Sequence, residues 1–212
     1  MGDPVRPPSF DAPTSRINSV SNSGEYRHIL VVANPTSPTA TVTLELLGKA
    51  RELAEILGVW VYVITLYPNG GQDLVSYGAD VVYLVKEITR SAGMVPSPGF
   101  VQIFVGVLDQ VIRKTRPEIV LFPSTSLGCD LAPRVAQRFA TGLVTGCVGL
   151  DLEVETRRLV AIRPLYQGRL LAEVVFPHHR PQMVTVQPGV FPQAFEDPSR
   201  EGRVEEIISG RF

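Results

Sequence analysis

The sequence is poor in the residues that usually carry chemistry. Among its 212 residues there are two cysteines and three histidines. Cys129 and Cys147 form neither a Cys-x-x-Cys pair nor the spacing of a zinc knuckle or a secreted disulfide framework. A reducing, cytoplasmic setting is therefore expected. His178 and His179 are adjacent, so on an extended backbone they point to opposite sides and do not share a metal. With His28 as the remaining histidine, general bases for a hydrolase are scarce, and no Gly-x-Ser-x-Gly elbow is present. No catalytic residue and no metal site is assigned. The chain also lacks Gly-x-x-x-x-Gly-Lys-Ser/Thr, and Gly142, Gly146 and Gly149 do not compose a Gly-x-Gly-x-x-Gly turn, which removes kinase-like and ordinary dinucleotide-binding readings.

Charge of one sign is missing too. Twenty Lys and Arg balance twenty-one Asp and Glu, a net charge of −1, so no basic field draws the chain to nucleic acid or to an anionic membrane surface. No apolar run approaches bilayer length and the N-terminus has no apolar signal core, so neither membrane insertion nor export is expected. What is present is 44% hydrophobic and 19% charged residues, enough to bury one domain without metal or disulfide staples.

Residues 1–26 are rich in Pro, Ser, Asn and Arg and read as a flexible tail. The domain is expected over 27–191, with 192–212 a polar tail containing one further strand, Val204 to Ile208. The apolar run after His28 reads as a doubly buried strand, interrupted by the polar loop Asn34 to Thr39. Leu46, Leu47, Ala50, Leu53, Ala54 and Leu57 recur at helical steps, and Gly58 supplies a left-handed stop. Strands follow over Val59 to Leu66 and Val81 to Val85, with a short helix near Asp73 to Tyr77 between them and a surface loop over Thr89 to Gly99. The set from Phe100 to Ile112 has helical spacing and ends in Arg113-Lys114-Thr115-Arg116, cations that suit a helix carboxyl end. Ile119 to Phe122 is the fourth strand. Asp130 is the expected N-cap of the next helix, with Pro133 in its first turn and Leu131, Val135 and Phe139 facing the sheet. Extended runs at 143–155, 159–166, 170–176 and 182–186 then suggest antiparallel strands added to the edge of a parallel sheet.

In such a sheet, loops between strand carboxyl ends and helix amino ends hold anions. The candidate nucleotide-binding residues are accordingly Asn34 and Thr36 in one loop, and Ser124, Thr125, Ser126, Gly128 and Asp130 in another. Arg134 and Arg138 stand four apart on an outer helix face, where they pair with a partner or are merely solvated.

Five segments together carry a resemblance: Ile119 to Pro123; Ser-Thr-Ser-Leu-Gly-Cys-Asp-Leu-Ala-Pro-Arg-Val-Ala at 124–136; Thr-Gly-Leu-Val-Thr-Gly-Cys at 141–147; Arg-Pro-Leu-Tyr-Gln-Gly at 163–168; and Arg180 to Phe191. Their order resembles the N-terminal domain of the electron transfer flavoprotein alpha subunit. The resemblance implies a Rossmann-like fold of the adenine nucleotide alpha hydrolase type, α/β with a mostly parallel sheet, helices on both faces and added antiparallel C-terminal strands. It implies a scaffold within a flavin-dependent electron-transfer complex, paired pseudo-symmetrically with a beta-like subunit. FAD would be carried by a separate chain or domain, because the family's second domain holds most of it and its flavin-binding motifs have no match here. In the beta subunit the loop equivalent to Ser124–Asp130 binds the phosphate of AMP; here Leu127 and Cys129 depart from a phosphate loop. The family's aromatic-Gly-Gly-Asn turn becomes Tyr166-Gln167-Gly168-Arg169. Arg134, Arg163, Tyr166 and Arg180 are the expected interface residues. The alternatives are a stand-alone AMP/ATP sensor using the two loops, and a homodimer.

Overall fold

The computed structural model describes residues 25–34, 40–67, 70–86 and 98–208. Five strands and four helices come first: β1 (Ile29–Val32), α1 (Thr41–Leu57), β2 (Val61–Thr65), α2 (Gly71–Ser76), β3 (Val81–Lys86), α3 (Pro98–Thr115), β4 (Ile119–Pro123), α4 (Ser126–Arg138) and β5 (Leu143–Cys147). Five more strands follow: β6 (Gly149–Glu153), β7 (Arg158–Leu165), β8 (Leu170–Val175), β9 (Gln182–Val186) and β10 (Arg203–Ile208). Seven strands form one parallel sheet in the order β10-β3-β2-β1-β4-β9-β5. Of the tail expected over 1–26, residues 1–24 lie outside the described residues, as do most of the loops at 34–39 and 89–99.

Alternation of side chains across the pleat explains why β1 is apolar throughout. Ile29 and Val31 pack with Leu46, Leu47, Ala50 and Leu53 of α1, while Leu30 and Val32 pack with Phe104, Leu108 and Ile112 of α3 and with Leu131 and Val135 of α4. Leu74 and Val75 place α2 on the α1 side. The result is a sheet between two helical layers, with Gly58 closing α1 at φ 64° as its position predicts.

The C-terminal third differs from a simple edge extension. β9 is parallel and inserts between β4 and β5, buried at every position. The run 143–155 is not one strand: pairing of β5 with β9 shifts between Val144 and Cys147, where Gly146 takes φ 68°. Val148 then turns the chain, its amide donating to Ile162 O at 2.8 Å. β6, β7 and β8 make an antiparallel sheet of their own, order β6-β7-β8, on the α1 side. Its inward residues Leu150, Leu159 and Ala161 join Val144 and Cys147 in the core. Residues 187–202 cross α1, held by Gly189 N–H to the buried Glu45 carboxylate (2.7 Å) and Ala194 N–H to Leu44 O (2.9 Å). Gly48 admits this crossing, since a Cβ there would stand 3.0 Å from Pro192 O. β10, expected near Val204, then lies beside β3, with Lys114–Glu205 (2.9 Å) and Lys86–Glu206 pairing its carboxylates.

The small sheet is fastened at the amino end of the parallel strands. Glu118, buried just before β4, accepts from Arg157 Nη2 at 2.7 Å and Nε at 3.0 Å, and lies 3.6 Å from Arg180 Nε. Gln182 completes the knot: its Oε1 accepts from Leu159 N–H (2.7 Å) and its Nε2 donates to Arg157 O (3.1 Å). Removing one partner of such a cluster strands the others. Glu118→Ala is expected to destabilise by roughly 2–3 kcal/mol, below the ~3–5 of fully buried pairs because Arg157 is partly solvated; urea unfolding measures it.

At the same end, His28 takes φ 72° and lies against Trp60 and Tyr62, at centroid distances of 5.6 and 4.8 Å. Its Nδ1 accepts from Trp60 N–H at 3.2 Å, a bond that requires the unprotonated ring nitrogen. Burial lowers its pKa from 6.5 to about 4, assisted by the nearby positive charges of Arg27 and Arg157 and opposed by Asp80. The unfolded chain therefore takes up this proton first as pH falls. The stability that His28 contributes is complete above about 6.5 and is lost between there and about 4. His28→Asn, whose side chain tolerates the left-handed backbone, is expected to flatten the decline in Tm between neutral pH and pH ~5 in scanning calorimetry.

Candidate functional site

The strand order reverses direction of growth between β1 and β4. The chain leaving β1 enters α1 on one face and the chain leaving β4 enters α4 on the other, so a crevice opens at the carboxyl ends of these two strands. Ile29 pairs with Ile119 and Val31 with Leu121, and extending that register sets Asn34 level with Ser124. The two candidate loops thus share one rim. Thr36 lies outside the described residues. Asn34 donates its backbone N–H to Thr43 Oγ1 (3.0 Å).

The second loop is shorter than its sequence suggests, because α4 begins at Ser126 and its N-cap is Thr125, not Asp130. Thr125 has extended backbone (φ −90°, ψ 169°) and its hydroxyl accepts from Gly128 N–H at 3.2 Å. Asp130 falls inside the helix, where it accepts from Arg134 Nε at 2.7 Å, and Pro133 sits beyond the first turn. Ser124 N–H donates to Val186 O at 2.7 Å, joining the loop to β9. Gly128 is dictated by space: a Cβ there would lie 1.8 Å from Pro123 O. Leu127 is buried, while Ser126 and Cys129 are exposed, with Cys129 Sγ 3.5 Å from Ser124 Oγ.

This arrangement offers hydroxyls and a helix amino end, with no histidine or lysine brought to it among these loop residues. Its hydroxyls and helix amino end suit a small anion. Gly128 brings the first turn of α4 close against Pro123, and two cavities, of about 340 and 270 Å³, lie elsewhere. The first is bordered by Tyr26, Arg113, Arg116 and Phe139, the second by Gly48, Tyr77 and residues 191–195.

The four expected interface residues do not form one patch. Arg163 and Tyr166 sit on the β7–β8 hairpin, whose turn stands at the same end of the molecule as the crevice because β7 climbs from Arg157 beside Glu118. Tyr166 is 75% exposed, at φ 49°. Arg163 reaches Thr145 Oγ1 at 3.5 Å. Arg134 is on the outer face of α4. Arg180 is at the opposite end, donating to the carbonyls of Phe176, His179 and Arg157 beside Glu118. Sequence reasoning passed over Glu118 and Gln182 and read Glu45 only as standing four before Lys49, which pairs instead with Glu52; a polar residue within or beside an apolar run was the signal of these buried groups.

The family model for the electron transfer flavoprotein domain matches residues 29–209. The chain belongs to the electron transfer flavoprotein family. It is 36% identical over 184 residues to the electron transfer flavoprotein subunit alpha of Thermoanaerobacterium thermosaccharolyticum, covering 85% of this chain and 54% of that one. It is 38% identical over 174 residues to the subunit alpha of Clostridium acetobutylicum, covering 80% and 50%. It is likewise 38% identical over 176 residues to the LctC subunit of the lactate dehydrogenase (NAD(+),ferredoxin) of Acetobacterium woodii, covering 81% and 40%. The chain spans about half the length of the curated relatives it matches. Among the described residues no helix is long and apolar enough to cross a membrane.

Two substitutions separate the roles within the loop. Thr125→Val removes a cap and is expected to cost about 1 kcal/mol. Gly128→Ala forces Pro123 and α4 apart and is expected to cost roughly 3 kcal/mol or more; paired urea titrations give both.

Proposed function

We propose that this chain is a scaffold component of a flavin-dependent electron-transfer complex, an alpha-type electron transfer flavoprotein domain working in the cytoplasm. The observation that carries the reading is the family match across residues 29–209, joined to relatives named as alpha subunits. The chain's own role is to position: the rim formed by the crevice loops and the β7–β8 hairpin is the surface for a beta-like subunit, with Arg163 and Tyr166 at the contact and Arg134 outside it, across the parallel sheet on α4. Arg180 acts at a distance, by anchoring the hairpin's base through Glu118. FAD belongs to a flavin-bearing chain or domain beyond these residues.

The test is co-expression with a beta-like subunit, followed by affinity capture and an absorbance spectrum. The chain alone is expected to purify without flavin, and capture of the beta-like subunit is expected to weaken at least about tenfold in Tyr166→Ala, since aromatic anchors dominate interface energetics. Stoichiometric FAD in the chain alone would overturn the scaffold reading. AMP at millimolar concentration is expected to leave Tm unchanged, because a ligand of the folded state must otherwise raise it.

A further inference from the structure

β8 is the outer strand of the antiparallel sheet, and among the described residues nothing pairs with its far edge. It is also unusually bare, with Leu170 57%, Leu171 65% and Val175 45% exposed. Folded proteins blunt such an edge with lysine, proline, a bulge or a covering element, because its unpaired N–H and C=O groups template another strand. β8 carries none of the first three: its residues are Leu-Leu-Ala-Glu-Val-Val, in regular register with β7 from Leu165–Leu170 to Val160–Val175.

We propose that the outer edge of β8 pairs antiparallel with β8 of a second copy of this chain, merging the two small sheets into one across a twofold axis. The charges select the register. With Leu171 facing Leu171 on the axis, Arg169 lies opposite Glu173 twice, once on each side. Neither side chain makes an ion pair within its own chain among the described residues, and both are exposed. Leu171, Glu173 and Val175 alternate onto one face, and Arg169, the last residue of the turn that precedes β8, borders the same edge, while Leu170 meets the small Ala172 on the other face. Centring the axis on Glu173 instead would oppose two carboxylates, and centring it on Ala172 would set Leu171 against Glu173. The arrangement does not depend on a beta-like partner. Such a partner, seated on the hairpin, would compete for the same edge, so the test is made on the chain alone.

Sedimentation velocity of the isolated chain, from micromolar to hundreds of micromolar, is expected to show a reversible dimer. Arg169→Glu and Glu173→Arg, each replacing two attractions with two repulsions, are expected to raise its dissociation constant roughly tenfold or more. The double substitution Arg169→Glu/Glu173→Arg exchanges the charges across the axis and is expected to restore the wild-type value. Leu171→Lys sets two cations on the axis of an otherwise solvent-facing position and is expected to give a monomer with unchanged circular dichroism. A wild-type monomer throughout the range overturns the proposal. So does a dimer that the single substitutions leave untouched, or one that the charge exchange fails to restore.

Discussion

The placement of the β7–β8 hairpin beside the crevice rim depends on one buried carboxylate at the far end of the sheet. Glu118 gathers Arg157, from the turn between β6 and β7, and Arg180, from the loop before β9. Without that cluster the small antiparallel sheet would be joined to the parallel one mainly by apolar contact, which is strong but non-directional. Charge-assisted hydrogen bonds supply direction: Arg157 can satisfy Glu118 and reach Leu57 O (3.3 Å) only with β7 starting at this point and climbing from it. The hairpin turn at Tyr166 is thereby delivered to the opposite end, level with the crevice loops.

The two halves of the fold are also held by different physics. The parallel sheet rests on apolar residues buried on both faces, so each strand must be flanked by helices and tolerates little variation in chemistry. The antiparallel sheet presents one face to the core and the other to solvent, and its strands alternate accordingly. The first four strands are thus interior, and the antiparallel sheet carries exposed side chains to the surface.

Much of this was legible before any coordinates. The helical spacing of α1 and α3, the continuous apolar strands, the stop at Gly58 and the strand near Val204 all follow from local rules that the structure obeys. The family was legible because the segments from Ile119 to Cys147 and from Arg180 to Phe191 combine spacing and identity in a fixed order. Two readings failed for physical reasons. Asp130 looked like a cap because its side chain suits one, but Thr125, five residues earlier, already accepts Gly128 N–H and starts the helix there. The extended runs looked alike by alternation alone, whereas which of them enters the parallel sheet is decided by long-range contacts: the turn at Gly146, and the insertion of β9 beside β4. At the candidate site the hydroxyls were found in the sequence. That Gly128 stands where no Cβ fits is a fact of packing that no spacing reveals.

β10 runs parallel to β3, with Ile208 level with Lys86. A polypeptide carried past Ile208 therefore departs from the rim and not from the base where the ion cluster lies. With neighbouring strands about 4.8 Å apart, the three spacings from β10 to β1 bring that point of departure to about 14 Å from the crevice.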